Sequence, residues 1–293
     1  MPWIKKPPPS FRRALGPGAI GLVLFVAACA SDSGERPAAS MAAQEPEEVT
    51  TVETLLRVAA NTRAGGNPGA AANLYRRAHL LDPKRVEPLI ELGSTLYAMQ
   101  LNREAAEAFR MALAVEPERV DARHALANTL LALNQPKLAH EQFETILRRN
   151  QADVAALNGM GIALDRIGDH TGAQTHYRSA LAMAPASLSV RNNLGLSMAL
   201  AGKHDEAIAL LKEVAGEPAA TPRERQNLAL AHGLAGDFDA AAKVARIDLD
   251  EIAVQNNIAY YRYLQTLSGP AKVNAAIGNG TDPNEAAAVP ASN

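Results

Sequence analysis

The chain has one cysteine, Cys29, and seven histidines among 293 residues. The thiol is the strongest nucleophile on offer, and it follows Val26-Ala27-Ala28, a branched residue and two small ones. A lone cysteine makes neither an internal disulfide nor a cysteine metal cluster, so its position must carry its meaning. The histidines are dispersed. His140-Glu141-Gln142-Phe143 lacks the second histidine that a zinc-binding HExxH helix needs, and His170 and His176 flank a helix start, where they read as solvated. Gly16 to Gly21 matches GxGxxG by letters alone, because it follows no strand. No phosphate-binding loop, GxSxG elbow or CxxC pair is present. These residues predict covalent modification of Cys29 rather than catalysis, no metal, no cofactor beyond that modification, and no small-molecule substrate.

The segment around Cys29 supports this. Lys5, Lys6, Arg12 and Arg13 form a basic start, and Ala19 to Val26 is apolar. That stretch is well short of the ~20 apolar residues needed to span a bilayer. With Val26-Ala27-Ala28-Cys29 it resembles a bacterial lipobox. The thiol then takes a diacylglycerol, and cleavage falls between Ala28 and Cys29. Residues 1–28 are the expected lipoprotein signal peptide. Residues 29–51, rich in Ser, Ala, Pro and Glu, are the expected lipidated, disordered tether, with an r.m.s. reach of roughly 25 Å. Acyl chains contribute about 0.8 kcal/mol per buried CH₂, so the lipid anchors the protein. Ala30, not Asp, follows the cysteine, which predicts the periplasmic face of the outer membrane. Lys5, Lys6, Arg12 and Arg13 are the only charges before Cys29, so cleavage leaves 25 basic against 31 acidic residues, a formal charge of −6. No basic run follows Arg13, and nucleic acid is excluded as a partner.

From residue 52 the sequence repeats every 34 residues, starting at 52, 86, 120, 154, 188 and 222 without insertion or deletion. Position 20 is Ala71, Ala105, Ala139, Ala173, Ala207 and Ala241. Position 8 is Ala59, Gly93, Ala127, Gly161, Gly195 and Ala229. Small side chains in both columns let paired helices approach closely. Position 7 (Val58, Leu92, Leu126, Met160, Leu194, Leu228) and position 24 (Tyr75, Phe109, Phe143, Tyr177, Leu211, Ala245) supply bulk that packs on the next repeat. Position 15 is Gly66, Gln100, Asn134, Gly168, Gly202 and Gly236, a place for left-handed backbone. Apolar stripes have helical spacing with no strand-like alternation. The period and columns are those of tetratricopeptide (TPR) repeats. The expected fold is all-α: a TPR superhelix (right-handed α-solenoid) of about six helix-turn-helix repeats over 52–267. Glu251 to Leu267 caps it, with Ile258, Tyr261 and Leu264 facing the array. Residues 268–293 read as a disordered tail.

A partner groove is expected on the concave face, lined by the first helix of each repeat. Position 5 reads His124, Asn158, Asn192 and Gln226 in four consecutive repeats, and position 9 adds Asn128, Ile162, Leu196 and Leu230. Asn193 and Asn227 stand at position 6. Amides both donate to and accept from an extended peptide backbone, which points to a protein segment as ligand. Glu53 and Glu87 make the early end acidic, and Arg63, Arg166 and Arg223 look too scattered along the array to form a carboxylate clamp.

The segment TPRERQNLALAHGLAGDFDAAAKVARIDLDEIAVQNNIAYYRYL, Thr221 to Leu264, resembles the C-terminal part of the TPR lipoproteins of tight-adherence (Tad/Flp) pilus systems, the TadD family. Asn192 to Leu211 fits as well, and so does the order of lipobox, tether, array and terminal helix. The resemblance implies an outer-membrane lipoprotein that assists assembly of the Flp pilus secretin by protein–protein binding. It implies no catalytic residues, and Cys29 matches its lipid-attachment cysteine. The alternative is a TPR lipoprotein that regulates or localises a peptidoglycan enzyme.

Overall fold

The computed structural model describes residues 51–269 together with Lys272, Ala275 and Ala276. The signal peptide, the Ala28/Cys29 cleavage site, the lipid attachment at Cys29 and the tether up to residue 50 lie outside the described residues.

Thirteen helices follow one another, and among the described residues there is no strand. Six pairs make the repeats: α1 (Val52–Ala64) with α2 (Pro68–Leu81), α3 (Glu87–Ala98) with α4 (Asn102–Val115), α5 (Val120–Ala132) with α6 (Pro136–Leu147), α7 (Val154–Ile167) with α8 (His170–Met183), α9 (Leu188–Leu200) with α10 (His204–Ala215), and α11 (Pro222–Ala235) with α12 (Phe238–Ala245). The last helix is α13 (Glu251–Thr266). The second helices of the pairs begin at 68, 102, 136, 170, 204 and 238, so the 34-residue period is kept to the residue.

Local chemistry sets these boundaries. Thr51, Asn67, Asp153, Asp169, Asp237 and Asp250 each cap a helix by accepting a backbone N–H on the side chain. Proline starts α2, α6 and α11, where its missing N–H costs nothing. Within each pair the turn passes through positive φ at position 15, not only at the four glycines but also at Gln100 (63°) and Asn134 (54°).

The columns become the core. All six alanines of position 20 are fully buried, as are Tyr75, Phe109, Phe143, Tyr177 and Leu211 of position 24. The glycines of position 8 exist for these bulky residues. A Cβ on Gly93 would lie 2.6 Å from the Phe109 ring, on Gly161 2.4 Å from Tyr177, and on Gly195 2.6 Å from Leu211. The bulk of position 24 therefore wedges first into its own repeat. Phe143 also reaches the next one, against Gly159.

Repeat 6 departs from the pattern for a visible reason. α12 stops at Ala245, and Asp248 accepts a two-pronged pair from Arg225 (2.8 and 2.6 Å), tying the loop back to α11. α13 then covers the open edge. Val254, Ile258, Tyr261 and Leu264 are buried, Tyr261 lies over Gly233, and Asn256 and Arg262 are exposed. Arg246 and then Gln255 hold the Glu251 carboxyl at the start of this helix down to about 2. Within the C-terminal segment, Ala275 and Ala276 pack, partly buried, against the core, and residues 277–293 lie outside the described residues. No described helix is long and apolar enough to cross a membrane.

Candidate partner groove

A cavity of about 590 Å³ is shared by α3, α5, α7, α9 and α11. Five first helices can line one cavity only from the inside of a curve, so this is the concave face. Its wall includes Tyr97, Asn128, Ile162, Arg166, Asn193 and Leu196, with Arg223 and Asn227 at the far end.

The structure divides the ten sequence-predicted groove residues. Asn128, Ile162, Asn193, Leu196 and Asn227 line the cavity. His124, Asn158, Asn192, Gln226 and Leu230 do not. Four of these five, all but Leu230, stand at position 5, and each ties its helix to the element that follows. His124 Nε2 lies 3.1 Å from Asp153 Oδ2. Asn158 Oδ1 accepts from Asn193 Nδ2 (2.9 Å), Asn192 Oδ1 from Asn227 Nδ2 (3.1 Å), and Gln226 Oε1 from Asn257 Nδ2 (3.4 Å). Asn192 is fully buried and Leu230 nearly so. At position 5 the amides face the element that follows. One residue on a helix is a rotation of about 100°, and that step carries position 6 to the cavity wall and position 5 away from it.

On the cavity wall and behind it sits a polar cluster that the sequence did not announce. Asp165 is buried, and its carboxylate accepts from Tyr177 OH (2.9 Å) and Ser197 OH (2.6 Å), with His170 Nδ1 at 2.7 Å. Burial first, then the Asp165 charge, pushes the Tyr177 phenol well up. His170 is therefore a partner of a buried carboxylate and not a solvated side chain. Ser197 donates to Asp165 rather than to a histidine nitrogen, so the group is not a nucleophile–base relay. It joins α7, α8 and α9 and fixes the backbone that carries Arg166. The spacing of Asp165 and Ser197, one period apart but for two residues, was the available signal. Among the described residues no three His, Cys, Asp or Glu side chains gather as a metal site.

The charges also differ from the sequence expectation. Glu53 and Glu87 both pair with Arg85, and Arg63 pairs with Glu91 at 2.8 Å, so two guanidiniums offset most, but not all, of the acidity that these three carboxylates give the early end. Arg166 and Arg223, which looked scattered, stand on the wall of the same cavity.

The tetratricopeptide-repeat family profile matches residues 124–173 and 158–223. No curated protein shows significant sequence similarity to the chain. Among solved structures, a tetratricopeptide repeat protein from Parabacteroides merdae is 17% identical with a TM-score of 0.62, over 74% of this chain and 87% of that one. PilW, described as a widely conserved type IV pilus biogenesis factor, is 18% identical with a TM-score of 0.57, over 80% and 98%. MamA from Desulfovibrio magneticus is 20% identical with a TM-score of 0.53, over 56% and 92%. At such identities the likeness speaks to fold. From Val52 to Thr266 the chain is an all-α TPR superhelix, a protein-interaction scaffold by fold.

Proposed function

We propose that the protein is a lipid-anchored scaffold at the periplasmic face of the outer membrane, which assists assembly of the Flp/Tad pilus secretin by holding a segment of a pilus-assembly protein in its groove. The observation that carries the binding reading is the concave cavity, where Asn128, Arg166, Arg223 and Asn227 offer donors from three different helices beside the apolar Ile162 and Leu196. Such a surface suits an extended peptide with its own polar backbone. The secretin assignment rests on the resemblance of Thr221 to Leu264 to the TadD family, and the anchor rests on Cys29. The tether would raise the effective concentration of the groove where the secretin assembles. No step of this role asks for catalysis or a cofactor beyond the lipid.

The test compares heat-resistant secretin multimer in outer-membrane fractions of the wild type, a deletion strain and a Cys29→Ser strain. Loss in the deletion, with mislocalised or reduced multimer in Cys29→Ser, is expected. Unchanged multimer in the deletion strain would overturn the secretin reading and favour regulation of a peptidoglycan enzyme.

A further inference from the structure

Arg166 on α7 and Arg223 on α11 both line one cavity, and neither has a carboxylate partner among the described residues. Arg166 Nη1 donates to the Leu131 carbonyl at 2.8 Å, and its Nε is buried with no partner. Burial lowers the affinity of this guanidinium for its proton. Arg223 reaches only the Asn193 side-chain oxygen, at 3.4 Å. The one acid on the wall, Asp165, is already engaged by Tyr177, Ser197 and His170. The cavity is therefore cationic, and a buried guanidinium nitrogen without an acceptor is costly until an anion arrives.

The chain itself enters this cavity. Tyr260 OH donates to the Ala275 carbonyl, and Ala276 is part of the wall. The 17 residues beyond it, 277–293, contain Asp282 and Glu285 and no Lys or Arg. These acids lie six and nine residues past Ala276. Their greatest reach is roughly 20 and 30 Å.

We propose that Arg166 and Arg223 form a carboxylate-binding site in the groove, and that its resident ligand is the chain's own acidic segment 277–293, held through Asp282 or Glu285. The proposal rests on the groove reading of the previous subsection and deepens it: a partner segment must displace the tail, and an acidic one does so best. Tethering gives the tail an effective concentration of about millimolar, enough to outcompete weak ligands and yield to strong ones.

The probe is a fluorescent synthetic peptide of residues 277–293, titrated into the full mature chain carrying Cys29→Ser, with or without Asp282→Asn and Glu285→Gln in its own tail. The peptide is expected to bind the tail-neutralised chain at least tenfold more tightly than the chain with its native tail. Salt should weaken that binding, and Arg166→Gln with Arg223→Gln should abolish it. A peptide carrying the same Asn and Gln changes is expected not to bind, a control that leaves the array untouched. Equal binding to both chains, or none to either, would overturn occupancy by the tail. Tight binding that survives the arginine changes or the uncharged peptide would overturn the carboxylate site. Neither result depends on secretin, so failure here is distinguishable from failure of the proposed role.

Discussion

Gly161 shows how one residue sets the spacing of a repeat. Its missing Cβ makes room for the Tyr177 ring, whose hydroxyl donates to buried Asp165. Removing a mid-helix glycine by itself gains about 1 kcal/mol. Overpacking a core typically costs about 1–3 kcal/mol. The ring is pinned at its far end and cannot retreat, so the clash wins. Gly161→Ala is expected to destabilise the array by up to about 2 kcal/mol in urea unfolding. An unchanged midpoint would mean that the ring is free to shift. Gln100 is the opposite case, a residue with a Cβ in left-handed backbone. That conformation costs an L-residue roughly 1–2 kcal/mol. Gln100→Gly is expected to raise the unfolding midpoint, and a lowered midpoint would show that its side chain makes a compensating contact.

At the scale of elements, α11 and α13 carry the sharpest tests. Thr221 and Glu224 cap α11 reciprocally: Glu224 accepts from the Thr221 backbone at 2.9 Å and from its hydroxyl at 2.6 Å. Thr221→Ala is expected to cost about 1 kcal/mol, read as a lower thermal midpoint, and no change would remove the cap from the account of this helix. Tyr261 seals the last repeat over Gly233. Each repeat of a solenoid is stabilised by its neighbours, so opening the end weakens several at once. Tyr261→Ala should cost about 3–5 kcal/mol and fray α11 and α12 first, as faster amide exchange there than in α3 and α4. Uniform exchange along the array would argue against a capping role.

For the whole molecule, acid is the simplest lever. Burial lowers the pKa of His176 and His204 below the ordinary 6.5, helped at His176 by His140 and at His204 by Lys272, against the opposing carboxylates Asp169 and Asp205. The unfolded chain then binds these protons more readily than the folded one. Stability is intact above the ordinary value and falls as pH drops below 6.5 toward the depressed folded values. The melting temperature should decline across that window, and less so in His176→Gln. An equal decline in the variant would assign the effect to other groups.

Much of this was written in the sequence. The 34-residue columns determine the repeat number, the helix starts and the core, because small and bulky side chains at fixed offsets permit one packing of paired helices. Position 15 determines the left-handed turns even where it holds Gln and Asn. Cys29 and its neighbours determine the expected anchor. Only the tertiary structure decided which amides face the groove, since a one-residue step turns a side chain through about 100° and periodicity alone does not set that phase. It also decided that Glu53 and Glu87 share Arg85 as an ion-pair partner, while Arg166 and Arg223, two repeats apart, line one cavity. Curvature sets which residues share that cavity, and curvature is the sum of small rotations between repeats that no single column records.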